Sequence, residues 1–309
     1  MGWETDANPE ISRMLNGAVE YFGLGIAQSH TRVGGDANKN YSLETSSGSY
    51  ILKVILEHPI EDIETEIDYL KRIQEFNFPS SSYVRSQSGS SIYQDQDQMV
   101  LVLPKLDGNI PERTADVCRV IGENLAKLHQ IPTDSLPTRN GWLRRSYLPQ
   151  AIATLNEKVP NQAQRITQAY QNLKDFPYSE LPQVLVHGDM ASENCLFKDA
   201  KLVAFLDWEE VGIAPAILDL SICLLNFCFE ENQLHPELFQ AMIEGYTKQR
   251  ELTNIELKNL PEALRLACLI QCAWRYLQFG VYHPDPKYIG SAETYWQIDL
   301  DNFQIPAKI

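Results

Sequence analysis

Apolar positions fall in short alternating runs over the first third of the chain and at three- and four-residue intervals over most of the rest. A short helix is expected over 9–21, after a polar lead-in. From Ile26 the pattern is that of strands: IAQSHTRV, the turn GGDANKN, YSLET, the turn SSG and the apolar run SYILKVIL, the last two strands forming a hairpin. Ile60, Ile63, Ile67, Leu70 and Ile73 then recur at helical spacing, and Pro79 ends that helix. Strands are expected at 83–85, 91–93 and 99–103, the last running into Pro104. Beyond it the chain turns helical: 115–130, with Val117, Ile121, Leu125 and Leu128 on one face and His129 as a surface residue at its end, then 147–158 and 161–174. After a strand-rich interval, helices are expected at 214–229, 235–248, 254–279 and 291–303, the first of them apolar nearly all round.

That interval organises the chain. VLVHGDMASENCLFKDAKLVAFLDW, residues 184–208, reads as a buried strand, a polar loop with His187, Asp189 and Asn194, and two strands joined by a turn, the second ending on Asp207. Asp189, Asn194 and Asp207 thus lie at the ends of strands that can pair as a hairpin, a compact site for a metal-bound phosphate. Phosphoryl transfer asks the protein mainly for positioning and neutralisation of charge. Asp189 is suited to accept a hydroxyl proton, with the amide oxygen of Asn194 reaching a metal and Asp207 supplying the hard anionic oxygen that magnesium prefers. Two carboxylates beside a polyphosphate repel by about 1–4 kcal/mol at 4 Å unless a divalent cation separates them. Taken singly, each residue is an ordinary turn or capping residue; it is their combination that points to chemistry. His187 is expected to hold the loop by hydrogen bonding. Asp219, inside the apolar helix, requires a partner, and the loop backbone or His187 is nearest in design.

H-G-D-x-x-x-x-N followed by strand, turn, strand and D-W resembles the catalytic and metal loops of the aminoglycoside phosphotransferase and choline kinase group, small-molecule relatives of the protein kinases. The resemblance implies an α+β, bilobal protein-kinase-like fold: an N-terminal nucleotide-binding lobe over 1–103, with an antiparallel sheet and one helix, and a mainly helical catalytic and substrate lobe over 104–309. It makes Asp189 the catalytic base and Asn194 and Asp207 the magnesium ligands. The segment DLSICLLNFCFE is similar to the corresponding helix of kinase-like bacterial homoserine kinases. A homoserine-like amino alcohol is therefore the favoured acceptor, and choline, ethanolamine or an aminoglycoside the alternative. The cofactors implied are ATP and Mg2+.

In the N-terminal lobe Lys53 stands inside an apolar strand, where an ammonium needs an anionic partner. Glu66, thirteen residues on, is placed like the acid that orients the phosphate-binding lysine in that group; Glu61, Glu64 and Asp68 are the alternatives. Gly34 and Gly35 fall in a turn that can bring backbone N–H groups to a phosphate, although it lacks the G-x-G-x-x-G form. The strand before Pro104 resembles the kinase hinge, with backbone groups near Leu101 to Leu103 for adenine, or else is a core strand leaving its sheet. Trp208 and Glu209 follow the metal-loop aspartate, where acceptor chemistry differs among such kinases. Trp274 and Arg275 lie on an aromatic stripe that is ordinarily core. These four are the candidate acceptor contacts.

Composition narrows partners rather than fold. A formal charge of −15 argues against nucleic acid and anionic membrane surfaces and is compatible with cationic or zwitterionic small molecules. No apolar run approaches the roughly 18 residues of a membrane span, and MGWETDANPE carries neither a basic start nor an apolar core of a signal peptide, so a cytoplasmic protein is expected. Six cysteines without C-x-x-C spacing read as buried thiols. A nucleotide-binding sensor without turnover is the rival of another class. The joint presence of Lys53, Asp189, Asn194 and Asp207 speaks against it.

Overall fold

The computed structural model describes residues 9–34, 38–56, 58–139 and 141–298. The chain divides into two compact units, one of Met1–Lys71 with Ser80–Asp107, the other of Arg72–Pro79 with Gly108–Ile309.

The first unit is a five-stranded antiparallel sheet with helices. β1 (Ala27–Gly34), β2 (Lys39–Thr45), β3 (Gly48–Ile55), β4 (Tyr93–Asp95) and β5 (Gln98–Pro104) are ordered β1-β2-β3-β5-β4. Alternation along the strands sorts two faces. Tyr41, Leu43, Leu52, Val54, Val100 and Val102 form one cluster with Ile11, Met14, Leu15, Ala18, Val19 and Phe22 of α1 (Pro9–Phe22). Each aliphatic side chain so buried contributes about 1.5–3 kcal/mol. The intervening residues Ile55 and Leu101 pack with Ile63 of α2 (Ile60–Glu75). Lys53, opposite Leu101 in register, falls on that second face. The segment expected as a strand at 83–85 is not one: a ladder bond from Val84 N–H to Val102 O at 2.7 Å leaves it an extended loop beside β5.

The second unit is built round α6 (Ala216–Cys228), in which all thirteen residues except Asn226 are buried. Two short sheets bracket the 187–194 loop. β6 (Gln183–Val186) pairs with β9 (Gly212–Pro215), and β7 (Cys195–Lys198) pairs with β8 (Lys201–Phe205) as the expected hairpin. Ala214 and Pro215, expected to open the apolar helix, belong instead to β9, because they pair with Val184 and Gln183. α3 (Ala115–Leu128) is N-capped by Thr114 and lies against α7 (Pro236–Thr247). The approach is close enough that Gly122 faces the backbone of Met242 and Gly245 that of Arg119, where no Cβ would fit. α4 (Tyr147–Lys158), α5 (Pro160–Gln171) and α8 (Asn254–Leu277) complete the helical body, α8 starting on a Thr253/Glu256 capping box. α9 (Pro286–Ile289) and α10 (Ser291–Trp296) follow; the expected helix over 291–303 extends past the described residues. All six cysteines are buried and free. Among the described residues no helix is long and apolar enough to cross a membrane.

Candidate active site

The loop after β6 is held from behind by one carboxylate. Asp219, fully buried in the first turn of α6, accepts the backbone N–H of His187 on Oδ2 and that of Gly188 on Oδ1, both at 2.9 Å. The loop backbone is thus the partner that the sequence required of Asp219, but His129 is its second partner and sequence reasoning missed it. Far from lying at the surface, His129 is 4% exposed and bridges Asp219 Oδ2 (3.0 Å) and the Tyr246 hydroxyl (2.7 Å). Arg250 donates to that hydroxyl at 3.1 Å and to Glu256 at 2.9 Å, tying the chain to the start of α8. Burial pushes the His129 imidazole down. Burial would raise Asp219, but the hydrogen bonds from His129 and from the Gly188 N–H hold it below the usual carboxylate range. An anionic Asp219 facing a neutral His129 follows. The donors then run one way, Arg250 to Tyr246 to His129 to Asp219, and each buried polar group in the row is satisfied.

His187 is also fully buried and pushed down by burial. Its Nδ1 accepts the Asp189 N–H at 3.3 Å, so its Nε2 carries the proton and donates to Leu206 O at 2.9 Å. The imidazole therefore joins the loop to the strand end before Asp207, the holding role expected of it. Trp208 packs on its ring with centroids 4.6 Å apart, donates Nε1–H to Phe205 O and is 2% exposed. Trp208 thus lies in the core behind the loop, where it cannot meet an acceptor. Gly188, at φ +87, approaches Glu210 O so closely that a Cβ would stand 2.5 Å from it.

Asp189 emerges half-buried from this frame. Asn194, on a 3-10 turn over Ser192–Asn194, turns its Nδ2 back to Asp189 O at 2.8 Å and to Asp189 Oδ2 at 3.4 Å. Its Oδ1 is left as an acceptor without a bond among the described residues. Leu206 N–H bonds to Asn194 O at 2.9 Å, fixing Asn194 beside the end of β8. Asp207 follows there, exposed and at φ +56. Burial, and next the negative charge of Asp207, push the Asp189 carboxyl up to about 7. Asp189, Asn194 and Asp207 are therefore brought together, as the spacing suggested. Two repelling carboxylates and an amide oxygen fit a hard divalent cation that completes its shell with water and phosphate oxygens. They do not form a closed protein cage: among the described residues no cluster of three or more His, Cys, Asp or Glu gathers.

A cluster of half-buried aromatic and cationic groups lies near Asp189. Arg275 Nη1 donates to Gln271 O (3.2 Å) and Oε1 (2.5 Å), and Nη2 to the Tyr295 hydroxyl (3.2 Å). Its guanidinium carbon stands 4.4 Å from the Tyr295 ring centroid and 5.4 Å from that of Trp274. Trp274 in turn meets Trp142 and Phe279 at 5.2 and 5.9 Å. The Tyr295 hydroxyl donates to Asn226 Oδ1 (2.9 Å), whose Nδ2 donates to Met190 O (3.0 Å), so the cluster is joined to the loop. The charge of Arg275 and the nearby Gln271 amide act downward on Asp189. Glu209 is half-buried. Glu210 accepts Trp142 N–H at 3.0 Å, and burial pushes its carboxyl well up.

Within the first unit, Lys53 is 7% exposed and Glu66 fully buried, and the Tyr83 hydroxyl donates to Glu66 Oε1 at 2.5 Å. Glu61 and Glu64 lie less deep on the same helix, and Asp68 pairs with Lys71 at the surface. Leu101 is buried in β5 and Leu103 half-buried. Gly34 is exposed, at φ +122, and nothing among the described residues lies within 4 Å of where a Cβ would stand. Gly35 lies outside the described residues.

A family model described as "Phosphotransferase enzyme family" matches residues 30–255. A homoserine kinase of Pseudomonas aeruginosa is 24% identical over 240 residues, 76% of this chain and 76% of its own. Among solved structures, an amicoumacin kinase in complex with AMP-PNP, Ca2+ and Ami superposes with a TM-score of 0.74 at 20% identity, covering 95% of this chain and 93% of that one. A microcompartment-associated aminopropanol kinase gives 0.71 at 19% identity, covering 91% and 94%. The fold is thus the protein-kinase-like one expected. The family match spans well over half the chain, which belongs to the phosphotransferase enzyme family and is a small-molecule kinase.

Proposed function

We propose that this kinase transfers the terminal phosphoryl group of ATP, in the presence of Mg2+, to the hydroxyl of a homoserine-like amino alcohol. The observation that carries the reading is the turn of Asn194. With its amide nitrogen bonded to Asp189 O, its oxygen, the Asp189 carboxyl and Asp207 all serve one locus. Asp189 takes the hydroxyl proton at a carboxylate oxygen as the hydroxyl attacks phosphorus. Its position is fixed through the His187 and Asp219 contacts, so it needs no rearrangement at the moment of reaction. Asn194 Oδ1 and Asp207 would hold Mg2+, which neutralises phosphate charge when bound. In the other unit Lys53 is assigned to the phosphates, Glu66 to orienting Lys53, the backbone at Leu101 and Leu103 to adenine, and the Gly34–Gly35 turn to phosphate oxygens. Homologous homoserine kinases support the choice of acceptor. The test is Mg2+-dependent ADP release with L-homoserine, choline, ethanolamine and an aminoglycoside side by side. Turnover on L-homoserine above the others is expected; stabilisation by ATP with no turnover on any acceptor would mark a sensor instead.

A further inference from the structure

Arg275 is a half-buried cation in a chain of formal charge −15, yet among the described residues no carboxylate lies within 4.0 Å of it. Its three hydrogen bonds go to neutral oxygens: Gln271 O, Gln271 Oε1 and the Tyr295 hydroxyl. Of five N–H donors this leaves Nε–H and one Nη2–H, a pair suited to two carboxylate oxygens. Gln271, the residue one turn before it, is 2% exposed, and among the described residues its Nε2 makes no hydrogen bond within 3.5 Å, although it lies near enough to the Asp189 carboxyl to act on it. Its Oε1 is taken by Arg275, so the amide cannot flip without losing that bond. An amide this deep without a close acceptor costs stability unless a ligand supplies one. Both side chains stand on the Asp189 side of α8, beside the carboxyl assigned to the acceptor hydroxyl.

We propose that Arg275, clamped by Gln271 and Tyr295, binds a carboxylate of the hydroxyl acceptor, with Gln271 Nε2 donating to the same acceptor. The acceptor class is then a hydroxy acid or hydroxy amino acid, in preference to a simple amino alcohol or choline. The proposal rests on the kinase reading above and sharpens it. It gives Arg275 the role that the aromatic stripe alone left to packing.

The experiment compares L-homoserine with 3-aminopropan-1-ol, which keeps amine and hydroxyl but lacks the carboxylate, on wild type, Arg275→Gln and Arg275→Lys. Wild type is expected to favour L-homoserine by about 100-fold in kcat/KM, the scale of a desolvated charge pair. In Arg275→Gln that preference collapses through KM for L-homoserine, while 3-aminopropan-1-ol loses less than ten-fold; Arg275→Lys retains part of it. Equal kcat/KM for the two acceptors in wild type, or a preference that survives in Arg275→Gln, overturns the proposal and leaves Arg275 a counter-charge for Asp189. Thermal stabilisation by L-2-aminobutyrate, which has no hydroxyl to phosphorylate, separates this from failure of the kinase reading. Stabilisation of wild type but not of a folded Arg275→Gln supports the carboxylate site even where no acceptor turns over. No stabilisation of wild type by L-homoserine or L-2-aminobutyrate overturns it.

Discussion

Behind the 187–194 loop, polar groups are matched donor to acceptor: Asp219 takes two loop amides and His129, and His129 takes Tyr246. In front of it, Asp189 carries a raised carboxyl, Gln271 an amide nitrogen with no bond within 3.5 Å and Arg275 two unused donors. The two sides lie within the same unit and are joined by a few residues, so the contrast is one of chemistry rather than of location. A frame with every group satisfied fixes the backbone; a face with groups left unsatisfied is where a ligand completes them. Substitutions behind the loop should therefore register as stability, and those in front as turnover.

The largest stability loss is expected for Asp219→Ala, which strands two buried amides and a buried imidazole at a cost of about 3–5 kcal/mol in urea unfolding. A loss under about 1 kcal/mol would break the comparison. Gly188→Ala comes next. Its Cβ must enter at φ +87 against Glu210 O, and about 1–3 kcal/mol is expected in the same assay. The smallest effect is a pH slope. His187 is held below its ordinary value by burial, so it stays neutral in the folded chain while the unfolded chain protonates it below about pH 6.5. Its contribution is thus whole above that pH and falls away below it, by up to about 1.4 kcal/mol per pH unit. Asp189 and Glu210, raised in the folded state, act in the opposite sense but are present in both proteins when wild type is compared with His187→Gln. The wild-type advantage should shrink from pH 7 to pH 5; a constant difference would show that the imidazole is not held neutral.

Much of this frame was legible in the sequence. The five-residue step from Asp189 to Asn194 and the strand ending on Asp207 pointed to three groups that local hairpin pairing brings near one another. An acid inside an otherwise apolar helix announced Asp219. His129 was not legible: at the last turn of an amphipathic helix it looks exposed, and its partners are 90 and 117 residues away. Trp208 followed a site residue and so suggested contact with a ligand, but nothing local shows that its ring turns back onto His187. Gln271 left a faint signal, an amide four residues before Arg275 on an apolar helix. Tyr295 left none, since only tertiary packing brings α10 to α8.

Asp189→Asn tests the central claim most directly, because it keeps shape and removes the base. With burial and Asp207 disfavouring the carboxylate, the variant should be at least as stable as wild type at pH 8 and should bind ATP as tightly. Its kcat on the preferred acceptor should fall at least about 100-fold. Turnover within a few-fold of wild type in a folded, ATP-binding variant would contradict the account.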